Sequence, residues 1–256
     1  MIGGVLTQEE TATAPPAGYV ANAVHIIGSA GNYLSIAALS CGTDNGFYSF
    51  SFWANNLMSS NNSTDLFVDD AAGIYSPFHE NTSTGQFEMQ FNTAGSALVF
   101  NRGWKSHFPA AIYTPGIWFH YLFSAETNLA SGSQIASLYV NDVLITPDFT
   151  GPSAGFILPL NGKSFDFGDD TFASGPTIDC ADVWFGPNIK LHDVTGAIPT
   201  ATRRQFIDAS GKPVNPASWP TSAVKFYGNA SQFPTNHGTG GVFTLHGSFT
   251  NAATHP

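Results

Sequence analysis

The stretch IWFHYLFSAETNLASGSQIASLYVNDVLITP, from Ile117 to Pro147, leaves this chain few folds to choose from. Between Ile117 and Ser124 the large residues alternate. Ile117, Phe119, Tyr121 and Phe123 fall on one face, and Trp118, His120 and Leu122 on the other. A period of two with bulky residues on both sides specifies a β-strand covered on both faces. A polar loop with Asn128, Gly132 and Ser133 follows, then a second strand at Ile135–Val140. Asn141-Asp142 comes next. Both residues tolerate the left-handed backbone of a two-residue hairpin turn, so Val143–Thr146 is expected to fold back as a third strand. The meander implies an all-β domain.

The rest of the chain repeats this texture. Val24–Ile27, Tyr33–Leu39, Phe47–Trp53, Leu66–Val68, Gln86–Asn92 and Ala97–Asn101 read as strands, the last two joined by Thr93-Ala94-Gly95-Ser96. Phe149–Asn161 carries several Gly and Pro residues and reads as loop, and Ser164–Phe167 as a short strand. In Thr177–Phe185 the alternation puts Ile178, Cys180, Asp182 and Trp184 on one face. Val224–Tyr227 and Gly241–His246 are the last strand candidates. One short helix is expected near residues 200–209, after Pro199 and before Gly211 and Pro213. About a dozen strands with frequent turn signals describe a two-sheet antiparallel β-sandwich. Residues 1–20 are polar, end in Pro15-Pro16 and read as an extended arm. Residues 21–256 read as one domain, with a C-terminal extension from about 191 to 256.

Composition excludes several partners. The net charge is −10, with 8 Lys+Arg against 18 Asp+Glu, which leaves no basic patch for nucleic acid or an anionic bilayer. No apolar run has membrane-spanning length. The N-terminus lacks a basic region followed by an apolar run, so no signal peptide is expected, and the protein is expected to be assembled in the host cytoplasm and to stay there or leave by another route such as cell lysis. Cys41 and Cys180 are too few for a disulfide framework. Buried free thiols are the favoured reading, with a bridge between sandwich faces as the alternative.

Taken in order, FYSFSFWAN, GIWFHYLFSAETN, SLYVNDVLI and TIDCADVWFGPN resemble the concanavalin A-like lectin/laminin-G jelly roll over roughly residues 21–190. Asp142 stands where that family usually has Gly. The tail, RRQFIDASGKPV and PTNHGTGGVFTLHGSF, resembles the C-terminal end of lectin-like proteins encoded by tailed bacteriophages and prophages. The resemblance implies a jelly-roll sandwich and a virion component.

Enzyme chemistry has no visible carriers. A retaining glycosidase needs two carboxylates about 5 Å apart, and the glucanase branch of the resembled family places them as E-x-D-x-E. Here Glu9, Glu10, Glu80, Glu88 and Glu126 are scattered, and no such triplet occurs. Neither a G-x-S-x-G elbow nor an H-E-x-x-H motif is present. His120, embedded among aromatics, reads as a hydrogen-bonded core imidazole.

For sugar binding, the loop aromatics Tyr75, Phe78, Trp104 and Phe108, near Asn101 and Arg102, could supply stacking and hydrogen bonds. Packing at a core edge or at a subunit contact explains them equally well. No cofactor is required. Calcium could be held by Asp69 and Asp70, or by Asp166, Asp169 and Asp170, against the favoured reading that these are turn-forming residues. Two functions follow. The first is a non-enzymatic structural protein of a bacteriophage virion, decorating the capsid or forming a head or tail appendage, with other virion proteins and its own copies as partners. The second is an adhesion module that binds host surface polysaccharide, with or without calcium.

Overall fold

The computed structural model describes residues 19–27, 31–55, 67–68, 79–81, 86–92, 98–104, 116–130, 132–147, 149–153, 155–168 and 177–256. These form an all-β sandwich with every strand antiparallel to its neighbours.

The strands in chain order are β1 (Val24–Ile27), β2 (Tyr33–Ile36), β3 (Phe47–Asn55), β4 (Phe67–Val68), β5 (His79–Asn81), β6 (Gln86–Asn92), β7 (Leu98–Trp104), β8 (Trp118–Glu126), β9 (Ile135–Val140), β10 (Val143–Ile145), β11 (Phe149–Ser153), β12 (Phe165–Phe167), β13 (Thr177–Pro187), β14 (Val224–Phe226), β15 (Thr244–His246) and β16 (Thr250–Asn251). The large sheet runs β10-β9-β8-β3-β13-β1-β16, with β14 also paired to β13. Two four-stranded sheets, β11-β7-β6-β5 and β15-β2-β12-β4, complete the architecture.

The expected meander is β8, β9 and β10. Its turn is left-handed at both central residues, with φ of 47° at Asn141 and 69° at Asp142, as a two-residue hairpin requires. The inner faces of β8 and β3 supply Phe119, Tyr121 and Phe123, and Tyr48, Phe50 and Phe52, to one buried cluster. Leu34 and Ile36 of β2, Phe165 and Phe167 of β12 and Trp104 of β7 reach the same cluster from the smaller sheets. Phe50 stacks on Phe185 at 4.3 Å, and Phe165 lies over the other side of the layer at 5.2 Å from Phe185. Truncating one such ring to Ala costs about 3–5 kcal/mol.

The large sheet is covered on its outer face too. Leu122, Tyr139 and Trp184 bury against Leu191, Ile198, Phe206, Val214 and Trp219 of the C-terminal segment. Strands β14 and β16 of that segment join the large sheet, and β15 joins β2, so its backbone pairs into two of the three sheets. This explains why the central strands carry bulky residues on both faces.

The structure departs from the sequence reading at four places. The helix is only Thr200–Arg203. The chain leaves the helical path there because Phe206 and Ile207 must turn inward to bury, and Ile207 then bridges to Pro213. Residues 149–153 are a strand, β11, paired irregularly to β7. Its Pro152 has no N–H to donate, which is tolerated because β11 is an edge strand. His79–Asn81 is also a strand, paired to β6.

The fourth departure lies in β13. Ala181 pairs with Trp53 and Trp184 with Ser51, so Asp182 and Val183 together oppose Phe52. This is a β-bulge, and Asp182 occupies it with φ of 50°. The extra residue reverses the side-chain parity. Ile178, Cys180, Val183 and Phe185 share the inner core, while Trp184 packs on the outer face.

Both cysteines are free, Cys180 buried and Cys41 half-buried. His120 is a buried core imidazole whose Nε2 lies 2.9 Å from Ser51 Oγ. Burial pushes its pKa down to about 3. Among the described residues no helix is long and apolar enough to cross a membrane.

Candidate functional site

The strand register brings four residues from distant parts of the chain into one row. His25 pairs with Asp179, Asp179 with Asn55, and Asn55 with Trp118. Their immediate neighbours Val24, Ile26, Ile178, Cys180, Ala54 and Phe119 all face the inner core, so alternation places the row on the outer face. Three interstrand gaps of about 4.8 Å give the row a length of about 14 Å.

The row is pre-organised by its own hydrogen bonds. His25 Nδ1 lies 2.6 Å from Asp179 Oδ1, and Asn55 donates through Nδ2 to Asp179 Oδ2 at 3.3 Å. Asn55 Oδ1 in turn accepts from the Gly116 N–H at 2.9 Å. Trp118 donates its indole N–H to Thr254 Oγ1 at 3.0 Å, tying the C-terminal end beside the row. His25 and Asp179 keep 34% and 18% of their side chains exposed, while Asn55 is buried. An open cleft of about 310 Å³ is lined by His25, Asn55, Thr177 and Asp179, with Gly116, Ala253 and Thr254 at its edges. Exposed hydrogen-bonding groups held in fixed positions beside a partly exposed indole can bind a polar ligand that also has apolar C–H faces.

A second polar array resembles hydrolase machinery. Ser124 Oγ lies 2.7 Å from His192 Nδ1, and His192 Nε2 lies 3.5 Å from Glu126 Oε2. Nucleophilic catalysis requires the hydroxyl to meet a substrate carbonyl beside oxyanion donors. Ser124 is fully buried, and its oxygen already accepts the Leu191 N–H at 3.1 Å. Ser49 sits 2.9 Å from Ser124, and Lys190 pairs with Glu126 at 2.5 Å. Burial, then Lys190, lowers the His192 pKa. The array fastens the C-terminal segment to the sheet.

A third feature lies at Tyr19. The Tyr19 hydroxyl donates to the Asp182 carboxyl group, 2.8 and 3.0 Å from its two oxygens. Burial raises the Asp182 pKa to about 8. A bulge residue is thereby used to anchor the root of the N-terminal segment.

The residues singled out from sequence fare differently. Trp104 is not a loop aromatic. It is the last residue of β7, has no exposed surface and donates its indole N–H to Ile145 C=O at 3.1 Å. β7 runs this far because Trp104 still pairs with Phe87 of β6, and with no exposed surface Trp104 cannot serve as a stacking platform. Asn101 and Arg102 lie within β7, opposite Gln90 and Met89 of β6. Tyr75, Phe78 and Phe108 lie outside the described residues, as do Asp69, Asp70, Asp169 and Asp170. Asp166 is central in β12, paired with Ser35 and Val68 and buried. Among the described residues no three His, Cys, Asp or Glu side chains are grouped to hold a metal ion. The row itself was not anticipated. Its one sequence signal is a polar residue at an outer-face position beside apolar ones, as at His25 and Asp179.

No family model matches the chain, and no curated protein does. Solved structures do. A candidate carbohydrate-binding protein from Bacteroides ovatus superposes with a TM-score of 0.52 at 12% identity, covering 93% of this chain. The chain spans 62% of that protein's length. The binding domain of Paraclostridial Mosquitocidal Protein 1 gives 0.43 at 14% identity, over 70% of this chain and 44% of that one. Domain 4 of AbnA, an extracellular arabinanase from Geobacillus stearothermophilus seen with arabinotriose, gives 0.36 at 17% identity, over 58% and 64%. The first likeness is one of fold, a β-sandwich.

Proposed function

We propose that this protein is a non-enzymatic, carbohydrate-recognising component of a tailed-bacteriophage virion. The sugar-binding half rests on the row His25–Asp179–Asn55–Trp118, in which donors and acceptors of the first three line an open cleft and register sets the half-buried Trp118 next to Asn55. Pyranose rings present hydroxyls at their edges and C–H groups on their faces, so they match both kinds of surface. The virion half rests on the sequence: the phage-like C-terminal segment and the polar N-terminal arm, which would meet other virion proteins or other copies of the chain. The fold resemblance to a candidate carbohydrate-binding protein agrees with the reading.

The absence of catalysis is part of the proposal. The row has a single carboxylate, where a glycosidase needs two. No cofactor is assigned, and calcium is left to the assay.

A glycan array run with calcium and with chelator tests the sugar-binding half. Binding weakened by Trp118→Ala is the expected result, and a blank array in both conditions removes it. Mass spectrometry of purified virions tests the other half, which is lost if the protein is missing from them. Release of oligosaccharides from a bound polysaccharide would overturn the non-enzymatic assignment.

A further inference from the structure

We propose that the row selects neutral, hydroxyl-rich glycans and discriminates against uronate-containing and other acidic ones. This inference rests on the reading that the row is the sugar site. Asp179 stands at its middle, partly exposed, between His25 and Asn55. A carboxylate in that position accepts hydrogen bonds from sugar hydroxyls. The His25 and Asn55 bonds hold it still, so both oxygens present fixed lone pairs.

The same group repels a second carboxylate. Sites that take acidic ligands supply Arg or Lys, usually as a bidentate fork. Among the described residues the cleft is lined by His25, Asn55, Gly116, Thr177, Asp179, Ala253 and Thr254, with neither. The imidazole of His25, on the described lining, already faces Asp179 at 2.6 Å. Of the described cations, Arg203 and Arg204 bond Asp142, Lys190 bonds Glu126 and Lys225 bonds the Trp219 carbonyl, while Lys163 and Lys212 lie outside the described lining of the cleft. The chain's net charge of −10 adds to the bias. Repulsion between unit charges about 5 Å apart, at an effective dielectric of about 50 between a protein surface and water, corresponds to roughly tenfold weaker binding.

The experiment uses the full chain and a panel of neutral and uronate-containing polysaccharides, screened at low salt. Oligosaccharides of the best binder are then compared by calorimetry with a counterpart differing only at C6, hydroxymethyl against carboxylate. The neutral member is expected to bind about tenfold more tightly. Asp179→Asn closes the gap, and so does raising salt on the unmodified protein, because screening removes the repulsion. The salt series keeps the test valid if the variant folds poorly.

Equal or tighter binding of the acidic member, with Trp118→Ala still weakening binding, would overturn the inference and leave the row as the sugar site. Binding indifferent to both Trp118→Ala and Asn55→Ala, or no binding at all, would remove the site assignment and the inference with it.

Discussion

Asp182→Asn is expected to stabilise this protein, by an amount that grows with pH. Asp182 sits fully buried in the β13 bulge, and burial raises its pKa from an ordinary 3.8 to about 8, against the opposing effect of the Tyr19 hydrogen bond. Between those two values the folded state keeps a proton that the unfolded state has released. A folded pKa raised above the unfolded one makes stability fall as pH rises, by about 1.4 kcal/mol per unit over this window. At pH 7, roughly three units above the ordinary value, the accumulated cost is about 4 kcal/mol. Asn removes the ionisation. It also tolerates the left-handed backbone at this position, and its carbonyl still accepts from Tyr19. No cavity forms, and the bulge is kept.

The assay is urea unfolding of both proteins from pH 4 to pH 9. The difference in unfolding free energy between variant and parent should be near zero at pH 4, climb through pH 7 and level off above pH 8. Subtracting the two curves cancels every other titrating group. Parallel curves across the whole range would refute the reasoning, since they would mean that Asp182 ionises alike in both states. Tyr19→Phe gives a second check: without that hydrogen bond the raised pKa moves higher still, and the parent's decline extends further into alkali.

Other perturbations probe separate parts of the molecule. His120, with its pKa pushed down to about 3, contributes stability that is lost as pH falls from its ordinary 6.5 towards 3, so His120→Gln should flatten the acid limb of the unfolding profile. Asp142→Gly installs the usual hairpin glycine yet should cost about 1–2 kcal/mol, read by thermal melts, because Asp142 binds Arg203 at 2.5 Å and Arg204 at 2.7 Å. Trp104→Ala should cost about 3–5 kcal/mol in urea unfolding and leave glycan affinity unchanged once the protein is folded. Burial raises the Cys41 thiol to about 12 and the Cys180 thiol well above its ordinary value, so thiol reagent at pH 8 should react slowly with the native protein and with two groups once it is denatured.

Most strands were legible because their signal is local. Phe47–Asn55 and Trp118–Glu126 alternate over nine residues each, and alternation needs no knowledge of the partner strand. β11 was hidden because Gly151 and Pro152 interrupt it, and it forms only through pairing with β7. The helix was overextended because a run of residues without Gly or Pro looks helical until tertiary burial of Phe206 and Ile207 overrides it.

The bulge shows where pattern reading stops. Within TIDCADVWF the period of two looks unbroken, and nothing local marks Asp182 as an inserted residue. Only the pairing to β3 shows that two residues oppose Phe52, and every side chain beyond that point changes face. The candidate site is hidden for the same reason. His25, Asn55, Trp118 and Asp179 are individually unremarked residues near strand ends, and their adjacency exists only in the registers of β1, β13, β3 and β8. A shift of one residue in any of those pairings would send one member of the row to the inner face. The aromatic core that fixes the registers is therefore also what builds the site. Core substitutions that let β13 slip should abolish glycan binding without touching the cleft.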